Sequence, residues 1–253
     1  MKRSKRALAL VTGAIILGLV AEAGAFDFSP TIDFTLGDKK ANVNSTLRTV
    51  VKQDSGEEEL KSVELKVPAG FSLALDQQLT DGETLGAGAI TIDVGPRCRG
   101  VPAASAPANI PVNIVERNRR QPEIAADVKA VYVVDLRPVT TIDLLVTGST
   151  DKGWTLFGNV PPNADTCPPF TFDATFRARA EDSETPILTN PQFGGDYKFE
   201  AKFVGLQGGV SDHEQTVKIE GPSGGGSATQ STGTKSCKGL KGKKKKRCKK
   251  RLS

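Results

Sequence analysis

The feature that most constrains this chain is a period-two alternation of apolar and polar residues, repeated in short runs along most of its length. In the run FTFDATFRAR, which begins at Phe170, phenylalanine and alanine occupy every second position and mostly polar residues lie between them. Successive side chains of a strand point to opposite faces, so this run has one dry and one wet face. No segment shows a convincing stripe of apolar residues at helical spacing. The sequence therefore predicts an all-β fold with antiparallel strands.

Eight runs carry the alternation clearly, and Gly, Pro, Asp or Asn separate them. They begin at Thr31, Ser62, Ala89, Val131, Thr140, Phe170, Tyr197 and Gln215. Weaker candidates near Leu47, Phe71, Pro111 and Trp154 bring the total to eleven or twelve, more than the roughly seven to nine strands of one immunoglobulin-type sandwich. We expect an antiparallel β-sandwich, immunoglobulin-like or jelly-roll. It is either one enlarged sandwich or two β-lobes with a boundary near residues 160–169.

Residues 1–25 have the layout of a secretory signal peptide. Four Lys/Arg in MKRSKR precede an uncharged run from Ala7 to Val20, and the small residues Ala23 and Ala25 follow. The uncharged run is fourteen residues long, shorter than the roughly 20 that an α-helix needs to cross a bilayer. We expect cleavage after Ala25, no transmembrane span, and a mature protein that is secreted, extracellular or associated with the cell wall.

The charge of the chain is divided unevenly between its segments. Residues 26–234 carry 19 Lys/Arg against 28 Asp/Glu, whereas residues 235–253 carry eleven Lys/Arg and no acidic residue. The net charge of +5 therefore belongs to the two ends, and the chain as a whole is not a basic nucleic-acid-binding domain. We expect an acidic β body at 26–220, a flexible Gly/Ser linker at 221–234 and a disordered Lys-rich tail at 235–253.

The tail is expected to be a solvated polycation that binds polyanions by releasing counterions. Its predicted polyanion-binding residues are Lys235, Lys238, Lys241, Lys243, Lys244, Lys245, Lys246, Arg247, Lys249, Lys250 and Arg251. It has no aromatic residue for base stacking and no apolar face to enter a membrane. Anionic envelope polymers are the expected partners, with nucleic acid less favoured. A tail that only solubilises or neutralises the body is the remaining alternative, and the ligand of the body stays unknown.

The four cysteines, Cys98, Cys167, Cys237 and Cys248, are the disulfide candidates of the chain. An even number of cysteines in a secreted chain favours disulfides over metal ligation. We favour pairing within the body and within the tail, Cys98 with Cys167 and Cys237 with Cys248, because it does not require the tail to dock. The spacing has no C-x2-C pair and the single histidine, His213, lies in another segment, so we expect no zinc site.

No residue pattern in this chain predicts catalysis or a cofactor. His213 follows two glycines and is expected to be a loop histidine. The stretch STDK at 149–152 lies between glycines and indicates a hairpin turn, not a catalytic serine–lysine pair. The acidic stretches 54–59 and 81–83 lack the alternating spacing of a calcium loop and are expected to be solvated turns. We therefore expect no catalytic, cofactor-binding or metal-binding residues.

The tail stretch CKGLKGKKKKRCKK and hairpin phrases such as VELKVPAGF give the chain a layout that resembles uncharacterised secreted β-sandwich proteins of high-GC Gram-positive bacteria. The resemblance implies an envelope or extracellular location. We expect a secreted, non-enzymatic binding or structural protein of the cell envelope. The alternatives are a secreted hydrolase, for example on polysaccharide, with a wall-tethering tail, and an extracellular nucleic-acid binder. A cleft with convergent carboxylates would favour the hydrolase, and smooth, closed sheet faces would favour the binder.

Overall fold

The alternating runs fold as strands in the computed structural model, which describes residues 28–92, 108–117, 126–137, 140–161 and 170–222. Within these residues the regular elements are β-strands and one short turn of 3-10 helix, so the all-β prediction is confirmed. No helix in this part of the chain is both long and apolar enough to cross a bilayer.

Thirteen strands occur within the described residues. They are β1 (Thr31–Leu36), β2 (Leu47–Gln53), β3 (Leu60–Val67), β4 (Ser72–Leu73), β5 (Thr84–Ile92), β6 (Ala108–Glu116), β7 (Val128–Leu136), β8 (Thr140–Ser149), β9 (Gly153–Asn159), β10 (Phe170–Phe176), β11 (Leu188–Thr189), β12 (Gly195–Gly205) and β13 (Val210–Ile219). The 3-10 turn, Asp76–Gln78, lies between β4 and β5. Each run predicted from alternation begins in one of these strands, and the weaker candidates near Leu47, Pro111 and Trp154 correspond to β2, β6 and β9.

Eleven of the strands form one antiparallel sheet in the order β1-β2-β10-β5-β6-β7-β8-β9-β3-β12-β13. The two short strands β4 and β11 pair with each other as a separate ribbon. Strands that precede residues 160–169 in the sequence pair with strands that follow them. In the large sheet β10 pairs with β2 and β5, and β12 pairs with β3. The sheet is therefore built from sequence-distant strands and not from consecutive hairpins alone.

The sheet curls until its two edge strands, β1 and β13, lie side by side. The Gln215 side chain donates from Nε2 to the Phe34 carbonyl at 2.8 Å, and its Oε1 accepts the Phe34 N–H at 2.6 Å. Further along, Ala41 N–H donates to the Glu220 carbonyl and Glu220 N–H donates to the Lys39 carbonyl, both at 2.6 Å. One side-chain amide thus takes the place of a backbone pair, and the sheet is nearly barrel-shaped.

Because eleven strands share one sheet, the expected sandwich of two separate sheets, immunoglobulin-like or jelly-roll, is not confirmed. The predicted dry face is correct all the same, since in β10 Phe170, Ala174 and Phe176 are buried. The strand ends at Phe176, before the end of the alternating run. Ala178 instead accepts the N–H of Ile187 at 3.1 Å, so the chain has already entered a tight loop at that point.

The interior of the curled sheet is filled by large side chains. The rings of Phe71 and Phe199 lie 5.2 Å apart, close to perpendicular. Trp154 donates from Nε1 to the Phe71 carbonyl at 2.8 Å, and the Tyr132 hydroxyl donates to the Ala74 carbonyl at 2.6 Å. Buried Trp and Tyr need such acceptors because an unpaired donor in the core is costly. These bonds tie the segment around β4 to the inner faces of β9 and β7.

We name the two ends of the sheet by the segments that cross them. The lower end carries residues 37–46, 68–83 and 177–194, because Leu36, Leu47 and Phe176 lie in one register row there. The upper end carries the turn at 54–59 and the turn that connects β12 to β13. At the lower end, Ser45 N–H donates to the Leu188 carbonyl and Asn190 N–H donates to the Val43 carbonyl, which joins two of these segments.

Candidate functional site

The site residues predicted from sequence, which are the four cysteines and the basic residues of 235–253, lie outside the described residues, as does the signal segment 1–25. Their roles stay predictions. The described body offers three other sets of side chains with functional chemistry. These are a charged groove on the outer face, a histidine beside a serine, and several buried carboxylates.

A groove of about 260 Å³ crosses the outer face of β3, β12 and β13. Its charged lining residues are Glu64, Lys66, Glu200, Lys202, Asp212 and Glu214, with His213 beside them. Lys66 lies 3.3 Å from Glu200, and Lys198 lies 3.2 Å from Glu200 and 2.7 Å from Glu214. In the strand register, Glu200 lies opposite Lys66 of β3 and Glu214 of β13. The ladder of ion pairs therefore follows from the strand register, which brings cross-strand side chains within reach.

The ion pairs set the ionisation of the groove. Hydrogen bonds to Glu214 and Glu200 raise the pKa of Lys198 above its ordinary value. Partial burial opposes ionisation of Glu200, but hydrogen bonds from Lys198 and Lys66 outweigh it and hold its pKa below the ordinary value. Positive and negative charges therefore persist side by side, with four carboxylates and two lysines in the lining. Such a groove suits a neutral polar ligand better than a polyanion.

The arginines of the body are engaged in a similar way. All five that the structure describes bond to an acceptor on the body: Arg48 to Asp173, Arg117 to Asp143, Arg137 to Asp135, Arg177 to Glu181, and Arg179 to the Glu184 carbonyl. Arg48 and Asp173 make two parallel bonds of 2.8 and 2.5 Å, the strongest geometry for such a pair. The described surface therefore leaves no arginine without an acceptor of its own for the bidentate capture of an external anion.

His213 lies within β13 and not in a loop, which corrects the sequence expectation. The preceding turn closes early, since Gly205 N–H donates to the Gly209 carbonyl at 2.8 Å. The His213 ring packs 5.8 Å from the ring of Phe203, and its Nε2 lies 2.9 Å from the Ser211 hydroxyl on the same strand face. No carboxylate among the described residues is bonded to this ring. The pair thus lacks the group that orients the histidine in a nucleophilic triad.

The acidic stretch at 54–59 is a turn, as predicted, but it is not wholly solvated, because Glu58 is buried. The Glu58 carboxylate accepts the N–H of Gln207 and, at 2.6 Å, that of Gly209. The Glu58 side chain therefore holds the turn between β12 and β13 closed. The approach requires glycine, since a Cβ at 209 would lie 1.9 Å from Glu58 Oε1 and 2.7 Å from the Cβ of Phe28.

The acidic stretch at 81–83 was also expected to be a solvated turn, but its Glu83 is buried. Glu83 is only 1% exposed and accepts the backbone N–H of Thr80 at 2.8 Å, of Asp182 at 3.1 Å and of Ser183 at 2.5 Å. Burial alone would raise its pKa, but the hydrogen bonds from Thr80 and Ser183 and that from Asp182 outweigh burial and lower the pKa. Glu83 is thus an ionised carboxylate that joins its own turn to the loop after β10.

Glu116 lies next to Glu83 but has the opposite environment. It is 2% exposed, and its Oε2 has no hydrogen-bond partner among the described residues. Burial, followed by repulsion from Asp76, Asp81 and Glu83, raises the pKa of Glu116 to about 7. Two neighbouring carboxylates with pKa values pushed apart resemble an acid/base pair. Since neither reaches solvent, we assign them to the structure of the lower end and not to a reaction.

The sequence analysis missed the burial of Glu58, Glu83 and Glu116, although a signal existed for two of them. Glu83 is two residues before Leu85, and Glu116 two residues after Ile114, so both occupy the buried face of their strand pattern. A position in phase with buried apolar residues predicts burial even for a charged side chain. Glu58 lies in a turn, where no periodic signal is available.

Two further observations concern the predicted chemistry. The hairpin turn predicted at 149–152 is confirmed, since Lys152 N–H donates to the Ser149 carbonyl at 3.2 Å between β8 and β9. Within the described residues, no group of three or more His, Cys, Asp or Glu side chains is placed to hold a metal ion.

Comparison with known proteins identifies no family. No protein-family model matches the chain, and no curated protein matches its sequence. Among solved structures, the chain is similar to a DUF4466 family protein from Parabacteroides merdae ATCC 43184, with 13% sequence identity and a TM-score of 0.32. The match covers 76% of this chain and 45% of that protein, so the chain spans less than half of that protein's length. A TM-score this low supports no inference about fold or function.

Proposed function

We propose that this chain is a secreted, non-enzymatic binding or structural protein of the cell envelope, held to anionic envelope polymers by residues 235–253. The observation that carries the proposal is the division of charge. The described arginines of the body already bond to body acceptors, whereas residues 235–253 contain eleven Lys/Arg and no acid. Cations without an acid in their own segment remain available to an external polyanion.

Attachment of this kind is electrostatic and weakens with salt. Each anionic group that is neutralised releases condensed counterions, and the logarithm of affinity falls by roughly 0.7 to 0.9 per contact for each tenfold rise in salt on nucleic acids. With about six contacts on a flexible polymer, the slope is roughly −4, so a fourfold rise in salt lowers affinity by roughly 250-fold. That steepness separates tail-driven retention from recognition by the body, whose described arginines all bond to acceptors on the body.

For the body we infer a flattened sheet whose halves stack face to face, as in a sandwich. Ring contacts between strands that are not neighbours support this arrangement. Phe34 of β1 lies 5.2 Å from Phe199 of β12, and Tyr132 of β7 lies 5.9 Å from Phe176 of β10. Side chains of opposed sheet faces meet in this way when the faces are roughly 10 Å apart. With its interior filled, the body has its outer faces, including the charged groove, for recognition of a ligand.

The hydrolase alternative draws on one observation, the divergent pKa values of Glu83 and Glu116. A glycosidase needs two carboxyl groups, roughly 5 to 10 Å apart, that flank a bound sugar. Glu83 and Glu116 are shut off from solvent, and three of the four groove carboxylates, Glu64, Glu200 and Glu214, are paired with lysines. The geometry of the described residues therefore favours binding over hydrolysis.

Nucleic acid is the other alternative partner of residues 235–253. Its phosphates attract the same charges, so salt dependence alone does not separate it from a wall polymer. The segment has no aromatic residue, and stacking on aromatic side chains contributes about 1–3 kcal/mol per base in single-strand binders. Competition between DNA and a soluble wall polymer for the same protein separates the two.

The test is retention on purified bacterial cell walls across a salt series. Three forms are compared: the full chain, a version ending at Glu220, and a full-length control in which the eleven Lys/Arg of 235–253 are replaced by Gln. We expect only the unmodified chain to be retained, and salt to strip it off. The glutamine control keeps the length of the segment and removes only its charge.

Two outcomes would contradict the proposal. Equal retention of the version ending at Glu220 would mean that the body recognises the wall. Equal retention of the glutamine control would mean that charge is not the cause. Displacement from walls by DNA at concentrations far below those of free wall polymer would favour the nucleic-acid alternative.

A further inference from the structure

Two loops at the lower end of the sheet form a compact acidic surface, which we call the acidic corner and define as residues 80–83 and 177–184. The buried Glu83 holds the two loops together, because it accepts N–H groups from Thr80 in the first and from Asp182 and Ser183 in the second. The corner is therefore a fixed arrangement and not a chance meeting of side chains.

The acidic corner carries a marked excess of negative charge. Its two loops contain five carboxylates and two arginines. Four of the carboxylates, Asp81, Glu181, Asp182 and Glu184, are exposed. The arginines offset only part of this charge: Arg177 pairs with Glu181 at 3.0 Å and Arg179 bonds to a backbone carbonyl.

The buried side chain of Glu116 lies close enough to this corner to be affected by its charge. Glu116 is 98% buried, electrostatically coupled to Asp81 and Glu83, and its Oε2 has no hydrogen-bond partner among the described residues. After burial and Asp76, repulsion from Asp81 and Glu83 raises the pKa of Glu116, so the negative potential of the corner extends to this buried side chain. A cationic partner at the surface of the corner would reduce that potential.

The chain leaves the sheet at the same end. Strand β13 ends at Ile219, and Glu220 is bonded to the segment 37–46 through Ala41 and Lys39. From β13 the order around the closed seam is β1, β2 and then β10, whose end begins the loop 177–184. Three steps between adjacent strands, at about 4.8 Å each, give roughly 15 Å from the end of β13 to the acidic corner.

The length of the intervening chain matches this distance. Residues 221–234 are fourteen residues rich in Gly, Ser and Thr, a composition for which a root-mean-square reach of roughly 20 Å is expected. The acidic turn at 54–59 lies at the upper end, beyond the ten residues of β13, which span roughly 33 Å. Residues 235–253 are therefore tethered within reach of the corner and farther from the other acidic turn.

From this geometry we propose that residues 235–253 bind the acidic corner of their own chain. A tether of this length holds the segment at an effective concentration of roughly millimolar at the corner, which favours the intramolecular contact over one between chains. The contact itself does not depend on the proposed function. The consequence of the contact does depend on the proposed function. If envelope polymers bind the same lysines, the corner competes with these polymers and lowers the apparent affinity of the protein for them.

The direct test is zero-length carbodiimide cross-linking of the full chain at low salt and low protein concentration, followed by peptide mass mapping. We expect lysines of 235–253 to be joined to Asp81, Glu181, Asp182 or Glu184 at least fivefold more often than to carboxylates of the turn at 54–59. Asp54 of that turn is the matched control, since it is exposed like the corner carboxylates but lies at the far end, whereas Glu57 and Glu59 are half-buried.

Mixing ¹⁵N-labelled and unlabelled chains separates contacts within a chain from contacts between chains. Equal cross-linking to the corner and to the 54–59 turn would overturn the inference, and so would cross-links that join labelled to unlabelled chains as often as chance allows. Neither result would touch retention on cell walls, so failure of this inference is distinct from failure of the proposed function.

A pair of variants gives a second readout. The corner variant carries D81N, E181Q, D182N and E184Q and leaves Glu83 in place, and the control variant carries D54N, E57Q and E59Q. We expect the corner variant alone to lose most intramolecular cross-links and to need higher salt for release from an anionic resin. Unchanged cross-linking in the corner variant would count against the inference, and its fluorescence-monitored unfolding curve verifies that it is folded.

Discussion

Replacing Glu116 by Gln should change the pH dependence of stability in a direction that the structure fixes. The pKa of Glu116 rises from 4.5 to about 7 because it is buried and lies beside Asp76, Asp81 and Glu83. Between these two values the folded protein holds a proton that the unfolded chain has lost. The stability that this proton contributes is fully present below about pH 4.5 and is lost as the pH rises to about 7.

The magnitude follows from the size of the shift. At about 1.4 kcal/mol per pKa unit, a rise from 4.5 to about 7 amounts to at most about 3 kcal/mol of stability lost on going from pH 4.5 to pH 8. Glutamine has a similar shape and no charge, so E116Q avoids that loss. We expect E116Q to equal the unmodified protein near pH 5, within about 1 kcal/mol, and to exceed it by about 2 kcal/mol at pH 8.

The assay is urea unfolding at several pH values, followed by the fluorescence of Trp154, which is buried and is the sole tryptophan of the chain. D151N, in the exposed turn between β8 and β9, is the matched control and should track the unmodified protein at every pH. The same pH dependence in E116Q and in the unmodified protein would refute the reasoning. It would mean that Glu116 is ionised in the folded state without cost.

Two further predictions concern contacts that hold the fold. Q215A removes both hydrogen bonds to Phe34 across the seam and should lower the free energy of unfolding by about 1–3 kcal/mol. Hydrogen exchange at the Phe34 amide should become faster. Unchanged exchange at this amide would show that β1 and β13 stay together without Gln215. G209A places a Cβ against Glu58 and Phe28, so it should destabilise the protein by about 1–3 kcal/mol in the same urea assay. The control is G56A, where a Cβ meets no atom within 4 Å and the positive φ is the only source of strain. A smaller loss in G209A than in G56A would contradict the packing argument.

The sequence predicted the strands well where alternation is strong and poorly where shape depends on distant contacts. The run at Thr31 matches β1 residue for residue, because one face must be dry and the other wet. The strand candidate near Phe71 corresponds to β4, which has only two residues and pairs with the equally short β11. That pairing depends on a segment more than a hundred residues away, which no local pattern encodes.

The candidate site was predicted less well for the same reason. The alternation placed Glu83 and Glu116 in phase with buried neighbours, but the donors that stabilise Glu83 come from Asp182 and Ser183 in a distant loop. Similarly, the two glycines before His213 suggested a loop, whereas the turn closes at Gly209 and the histidine joins β13. Local composition gives the kind of element, and long-range packing decides its limits and its chemistry.

The bond that closes the sheet has a consequence for how the protein folds. Gln215 and Phe34 are 181 positions apart, so the edges of the sheet cannot meet until almost the entire body has been synthesised. Contacts between residues so far apart in sequence slow folding. Until they form, the unpaired edge strand can pair with strands of other chains. Strand β13 therefore determines how long the edge of β1 stays exposed, and a chain that ends before β13 leaves β1 without the hydrogen bonds from Gln215.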